Sequence, residues 1–466
     1  MRDFFDRLVG LAQTAPDRVA VLSGDTQLTY GELVDSIRHT AQWAETLPNT
    51  VALLAPRDRR WIIWYLALIW SGRRLVPLPE FFSPVQLSHI VSDSGVEAIV
   101  CPVEMQDMAA TLGVPVRIVE QGPEPSLLPS ENGTLIIYTS GTSGRPKGVV
   151  LTSRQLASSV AAMTQAVDAT AEDRMLSVLP YALLLEQIAG IIVPLNVGGA
   201  IALCAQMTDL PLAAEKFSPT ATVLVPELLA GWVQWLEHTG RTAPQSLRIV
   251  AVGGAPVPHK LAEKAWSLGL PVHEGYGLSE CCSVVAVNRP GSRRAGTVGR
   301  PLPGVDVIIE KGEIVVCGPT VMAGYLGGLL ALARHRTGDA GHFDEDGYLV
   351  VDGRIDDVVV TTTGRNIHPE WIESLLLSDP RIARCAIVGG GTHPHAVLVP
   401  ANDWLAQATL EQRNALIAEL CAEAPAYARP ARTTVLSDSL VRQHNLITGN
   451  GRLRRRAIAA HLAETV

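Results

Sequence analysis

Tyr138-Thr139-Ser140-Gly141-Thr142-Ser143-Gly144-Arg145-Pro146-Lys147-Gly148, set just behind the apolar run Leu135-Ile136-Ile137, is the stretch on which the reading of this 466-residue chain turns. It gathers glycines, hydroxyl side chains and one lysine in a single short segment. Glycines let successive backbone N–H groups converge with no Cβ in the way, the hydroxyls add donors, and Lys147 brings a mobile positive charge. The combination predicts a loop that grips the phosphates of a nucleotide triphosphate. A plain surface turn is the alternative, and the lysine weighs against it. A Walker loop needs Gly-Lys followed by Ser or Thr at the start of a helix. Here Pro146 precedes Lys147 and Gly148 follows it, so the kinase and GTPase reading fails.

Further blocks follow in order. They are Val252-Gly253-Gly254-Ala255-Pro256, Gly275-Tyr276-Gly277-Leu278-Ser279-Glu280, Thr337-Gly338-Asp339, Gly353-Arg354-Ile355-Asp356-Asp357, Gly364-Arg365-Asn366-Ile367 and Gly449-Asn450-Gly451-Arg452. Together with the first segment they resemble the acyl-adenylate-forming superfamily, which includes acyl-CoA synthetases, aryl-acid ligases, nonribosomal adenylation domains and luciferases. Several ordered blocks spread over residues 138–452 carry the resemblance where one would be weak.

Bulk properties set the frame. A chain this long exceeds one ordinary hydrophobic core, so two or more domains are expected. An apolar fraction of 47% with 18% charged residues is that of a globular protein. A net charge of −8 argues against general affinity for nucleic acid or anionic membrane. Arg452-Leu453-Arg454-Arg455-Arg456 is a local basic patch that suits either a solvated helix start or an acceptor contact. Seven cysteines, two of them adjacent at Cys281-Cys282, suggest no disulfide framework and fit a reducing compartment. The start Met1-Arg2-Asp3-Phe4-Phe5-Asp6 lacks the form of a signal peptide, and the apolar run Trp61–Trp70 is too short to span a bilayer. The expectation is a cytoplasmic protein with no integral membrane segment and no nucleic-acid partner.

Strand and helix patterns alternate through residues 1–350. Leu28-Thr29-Tyr30-Gly31-Glu32 opens a predicted helix running through Trp43, Val51–Leu54 reads as a buried strand, and a helix follows around Trp61–Ile69. This rhythm predicts α/β layers with largely parallel sheets. Residues 292–352 change to short strands between Gly-rich turns, such as Val305–Ile309 and Glu313–Val316, and resemble the superfamily's small β-barrel. The expected fold class is therefore α/β: a large N-terminal adenylation domain over 1–353 built of layered α/β subdomains plus that barrel, and a small α+β C-terminal domain over 357–466. The junction is placed at 353–357. Pro369–Leu376 reads as a helix with proline in its first turn, and Arg384–Val388 as a strand.

The resemblance also implies chemistry. A carboxylate is a poor electrophile, so the enzyme first converts it to acyl-AMP with ATP and then passes the acyl group to a thiol. Thr139, Ser140, Thr142 and Lys147 would cradle the β- and γ-phosphates, with Gly141, Ser143 and Gly144 completing the loop. Gly254 and Ala255 would lie on the adenine side, Tyr276 and Gly277 beside the base, and Ser279 at the α-phosphate. Glu280 would hold Mg²⁺, a hard cation suited to carboxylate and phosphate oxygens. Asp339 would accept both ribose hydroxyls, and Arg354 would add a ribose or phosphate contact. Asp356 stands at the hinge about which the small domain would rotate between half-reactions.

Two departures stand out. Superfamily members commonly carry a C-terminal lysine at the place occupied here by Arg452, and no lysine follows Lys311. Arginine keeps the charge while changing its geometry, so Arg452 is expected to substitute electrostatically, with loss of adenylation as the rival. In Leu179-Pro180-Tyr181-Ala182-Leu183-Leu184-Leu185-Glu186, which resembles a segment of long-chain acyl ligases, Leu183 replaces a histidine. Tyr181, Leu183 and Gly253 are the candidate substrate-pocket residues. The run Ser279–Asn288 favours a fatty acid, with an aryl acid such as a hydroxybenzoate second. The acceptor would be the phosphopantetheine thiol of CoA or of an acyl carrier protein. A nucleotide-binding regulator without turnover is the reading from another class.

Overall fold

The structure is a computed structural model that describes residues 1–119, 128–139, 146–328, 330–360, 365–389, 392–422, 424–447 and 453–464. The expected helix near Leu28 spans Tyr30–Ala44. It starts where it does because Thr29 accepts the Glu32 N–H while the Glu32 carboxylate accepts the Thr29 N–H. The apolar run folds as the helix Arg59–Trp70, started by Asp58, which accepts the Arg60 N–H at 2.8 Å. Nine of its residues, from Trp61 to Trp70, are buried, as expected of a helix covered on nearly all sides.

Two large sheets organise the first part of the chain, both parallel inside, the first antiparallel at one edge and the second at both. In the seven-stranded sheet, Val116–Ile118, Ala98–Cys101, Thr50–Leu53, Arg74–Pro77 and Thr134–Thr139 run parallel. The edge then reverses twice, into Lys147–Thr152 and Gly324–Tyr325. In the nine-stranded sheet, the parallel strands Ala200–Leu203, Arg174–Ser177, Ala221–Leu224, Ile249–Val252 and Val272–Leu278 end in the antiparallel strand Ser283–Val287. Parallel strands demand long crossovers, whereas an antiparallel edge needs only a tight turn. The described ends of the first site-bearing segment, 138–139 and 146–148, and the whole of the second, 275–284, fall on these edges.

The predicted α/β class with a smaller α+β C-terminal part is what the chain adopts. Within 292–352, where the sequence suggested a barrel, Asp306–Glu310, Glu313–Cys317, Arg334–Phe343 and Leu349–Arg354 form a four-stranded antiparallel sheet whose two end strands do not pair with each other. Beyond it, Ile382–Val388, His395–Pro400 and Arg432–Val435 make a three-stranded sheet flanked by the helices Pro369–Leu376, Leu410–Leu420 and Arg455–Glu464. Two apolar clusters hold these elements together, and they draw only on residues 359–458. No helix among the described residues is long and apolar enough to cross a membrane.

The first turn of the last helix is pinned by one cation. Arg455 reaches Asp357 at 2.5 Å, Glu373 at 2.9 Å and Glu370 at 3.5 Å, with all four side chains largely buried. Glu373 also accepts the Ile387 N–H at 2.7 Å. Removing the guanidinium would leave three carboxylates facing one another out of water. Arg455→Met is therefore expected to destabilise the C-terminal part by about 3 kcal/mol, read as a lowered transition temperature in scanning calorimetry.

Candidate active site

The hairpin that carries the first motif sets Thr139 directly across from Lys147 as cross-strand partners. Tyr325 of the neighbouring edge strand pairs with Val149, which brings its ring beneath the lysine, with Lys147 Nζ 5.6 Å from the ring centroid. The Tyr325 hydroxyl donates to Glu280 Oε1 at 2.8 Å. A chain of contacts thus joins the phosphate-suited lysine to the metal-suited carboxylate. Sequence reasoning missed Tyr325. Its only signal was the Gly-Tyr pair far downstream of the segments it connects.

Glu280 sits in the turn of the second hairpin, between Val272–Leu278 and Ser283–Val287. Gly277 is required there, because a Cβ at that position would collide with the Ser283 carbonyl oxygen across the ladder. Tyr276, one residue earlier, donates its hydroxyl to Asp339 Oδ2 at 2.5 Å. Arg354 bonds the other oxygen, Oδ1, at 3.0 Å and the Thr337 carbonyl at 2.7 Å. Burial and the adjacent Asp339 carboxylate push the Tyr276 phenol far above its usual range, so it stays protonated and donates. Both Asp339 oxygens are oriented by the protein, and each keeps a second acceptor direction for a diol.

One cleft of about 1700 Å³ is lined by Thr139, Lys147, Ala255, Ser279, Glu280, Tyr325, Asp339 and Arg354, whereas Gly254, Tyr276 and Gly277 are not part of its wall. His335 lines it too and was not anticipated. Burial lowers its pKa against the raising pull of Glu280, Asp339 and Glu313. From the C-terminal side the cleft meets Asp356, Asp357 and the stretch Leu453–Ala457. Asp356 is exposed in the turn Ile355–Asp357, its carboxylate 3.8 Å from Arg354. Ser140, Gly141, Thr142, Ser143 and Gly144, like Arg452, lie outside the described residues.

The candidate pocket residues fall elsewhere. Tyr181 is fully buried in the core, 5.1 Å from the Trp61 ring, and Leu183 packs against the same apolar cluster. Gly253 lies against the Gly275 backbone, where a Cβ would come within 3.1 Å of its carbonyl oxygen. None of the three lines the cleft, because the strand-to-helix turn rotates the 179–183 segment into the core. Glu186, in the same segment, is fully buried at the start of a π-helical stretch, Glu186–Ile192. It accepts the Ser177 hydroxyl at 2.5 Å, and Gly190 leaves the room it occupies, since a Cβ there would approach the carboxylate to 2.6 Å.

An α/β protein whose two sheet edges and small antiparallel sheet set a lysine, a metal-suited carboxylate and a doubly held aspartate around one cleft is built to handle a nucleotide. The chain belongs to the AMP-binding enzyme family: residues 10–326 match its model and residues 356–466 match that of the AMP-binding enzyme C-terminal domain. It is thereby an acid–thiol ligase of the AMP-forming kind. The 2-succinylbenzoate–CoA ligase of Bacillus licheniformis is 29% identical over 432 residues, covering 83% of this chain and 88% of that one. A feruloyl-CoA synthase of Amycolatopsis sp. is 31% identical over 440 residues, 84% of this chain and 87% of that one. Among solved structures, the O-succinylbenzoate coenzyme A synthetase of Bacillus subtilis in complex with ATP and magnesium ion superimposes with a TM-score of 0.84 at 25% identity, over 98% of this chain and 99% of that one.

Glu186 generates a pH dependence. Burial pushes its carboxyl up to about 7, against partial relief from the Ser177 hydroxyl and the Arg57 charge. The folded protein keeps that proton to about pH 7, whereas the unfolded chain releases it near 4.5. The folded state binds more protons across that window, so this group's stabilisation is full at lower pH and is lost as pH rises from 4.5 to 7. Glu186→Gln should flatten the loss, retaining about 3 kcal/mol at pH 8 relative to the wild type, measured by denaturant unfolding at pH 5 and pH 8.

Proposed function

We propose that this protein uses ATP and Mg²⁺ to convert an aryl carboxylic acid to its acyl-AMP and then passes the acyl group to the thiol of CoA. The observation that carries the reading is the convergence of Lys147, Glu280, Asp339 and Arg354 on one cleft. The aryl preference is supported by the relatives, whose names give 2-succinylbenzoate and ferulate as their acids. It takes the place of the fatty acid favoured by the 279–288 segment, and CoA is preferred to a carrier protein on the same grounds.

In the first step a carboxylate oxygen attacks the α-phosphorus, forming the mixed anhydride while the bond to the bridging oxygen breaks and pyrophosphate leaves. Thr139 and Lys147 would hold the β- and γ-phosphates, together with the loop from Ser140 to Gly144. Ser279 would meet the α-phosphate, Asp339 the ribose diol, and Arg354 would hold Asp339 in position. Glu280 fits a hard cation: Tyr325 occupies one side of Oε1, and the rest of the carboxylate faces the cleft. When bound there, Mg²⁺ neutralises phosphate charge. Arg452 would bridge the acid and the α-phosphate in place of a lysine. In the second step the thiol sulfur attacks the acyl carbon, its proton is released and AMP departs. We place the units at 1–353 and 357–466 with the hinge at Asp356, so that rotation exchanges Arg452 for the 364–366 loop between steps.

Two measurements check this reading. Incubation with ATP, Mg²⁺ and a panel of acids should give acid-dependent ATP–pyrophosphate exchange, and mass spectrometry should find the acyl-AMP and, with CoA added, the thioester. Arg452→Ala should lose the exchange by about 100-fold or more while still converting supplied acyl-AMP to thioester. A wild type that shows no exchange with any acid contradicts the proposal, and thioester formed on a holo carrier protein but not on CoA reassigns the acceptor. Separately, Tyr325→Phe should weaken Mg-ATP binding about tenfold in titration calorimetry while leaving metal-free ATP binding nearly unchanged, because only the Glu280 carboxylate loses its donor.

A further inference from the structure

Beneath the hairpin of Val272–Leu278 and Ser283–Val287 lies a second cavity, of about 70 Å³. Its walls include Met163, Met175, Leu185, Ala189, Ala251 and Val284. Two of these lie close along the chain to residues of the cleft. Ala251 lies two residues before Gly253 at the end of its strand, and Val284 is the cross-strand partner of Gly277, next to Ser279 and Glu280. The two spaces share no lining residue, and the cross-strand pair Gly277–Val284 is what links Ser279 of the cleft to the cavity.

Asp173, Thr222 and Arg248 also border the space, yet their polar atoms are engaged within the protein. Arg248 donates to Asp173 from Nε at 2.7 Å and from Nη2 at 2.6 Å, and from Nη1 to the Val167 carbonyl at 2.6 Å. Asp173 further accepts the Thr220 hydroxyl and the Thr170 N–H, both at 2.8 Å. The Thr222 hydroxyl donates to the Leu176 carbonyl at 2.9 Å. None of the three appears among the buried side-chain atoms left without a partner in the described residues. Among the described residues the one cation at the wall, Arg248, is therefore already neutralised, and a ligand here meets carbon.

We infer that the acid is a compact apolar monocarboxylate, with a single ring as its tail, and that a second carboxylate on the tail is rejected. This rests on the acid-activating function proposed above and specifies its substrate. An anion entering the cavity would shed its hydration with no donor to replace it. That separates this protein from its relatives that act on 2-succinylbenzoate, an acid with two carboxylates. The volume sets the size: it is about half of the ~150 Å³ of an apolar cavity that takes up benzene. One ring fits once the unbranched side chains of Met163 and Met175 shift. A long alkyl chain does not.

The test uses the full chain with ATP and Mg²⁺ and three probes: benzoate or cinnamate, 2-succinylbenzoate, and hexadecanoate. Pyrophosphate release is followed alongside acid binding by calorimetry. The expected result is that an aryl monoacid is favoured in kcat/KM by about 100-fold or more over both others. Ala189→Trp, which fills the cavity, should abolish acid binding and leave ATP affinity as in the wild type, which also reports that the variant is folded. Met175→Ala, which enlarges the cavity, should improve turnover of longer acids. Preference for 2-succinylbenzoate or hexadecanoate overturns the inference and leaves the ligase reading standing, as does Ala189→Trp binding the aryl acid normally. Absence of binding by every acid in the presence of bound ATP overturns both.

Discussion

Asp339 is the meeting point of this structure. Tyr276 reaches it from the nine-stranded sheet, Arg354 from the adjacent strand of the four-stranded sheet, and Arg354 leads directly into the turn Ile355–Asp357. A partly buried carboxylate at the wall of a cleft is oriented by donors at both oxygens, and the tyrosine and arginine supply them. That pairing fixes where the small sheet lies against the large one, and with it the floor of the cleft. Glu280 repeats the arrangement on a smaller scale, with Tyr325 as its donor and Lys147 over the same ring. Paired hydroxyl–carboxylate contacts thus hold Asp339 and Glu280 in place on the wall of the cleft.

Edge hairpins make this possible. Parallel interiors bury the sheets between helices, and it is at the antiparallel edges that Lys147, at the start of its strand, and Glu280, in the turn Ser279–Cys281, reach the cleft. The C-terminal part closes the cleft from the opposite side, and its own rigidity rests on Arg455 among Asp357, Glu370 and Glu373. Arg455 bonds Asp357, the residue that follows Asp356, so the last helix is anchored beside the turn Ile355–Asp357.

Much of this was legible in the sequence, and for physical reasons. Phosphate, ribose and metal contacts depend on short local patterns, so Lys147, Ser279, Glu280, Asp339 and Arg354 declared themselves by their neighbours, and all five line one cleft. The capping box of Thr29 and Glu32 and the buried helix at Trp61–Trp70 were legible on the same local terms. Properties that depend on distant packing were not. Tyr325 acts through residues 147 and 280, which the chain separates widely. Tyr181 and Leu183 are turned into the core, and in the same stretch it is Leu185 and Ala189 that line the second cavity. The small sheet was read as a barrel because strand count and turn spacing do not reveal whether the end strands close.

The most direct test of the account is a crystal structure of the full chain grown with Mg²⁺ and a non-hydrolysable ATP analogue. The account predicts the ribose hydroxyls on Asp339, the metal on Glu280 and the terminal phosphates at Lys147, with Tyr276 and Tyr325 still bonded to their carboxylates. A nucleotide found away from this cleft, or one bound with its ribose remote from Asp339, would contradict it.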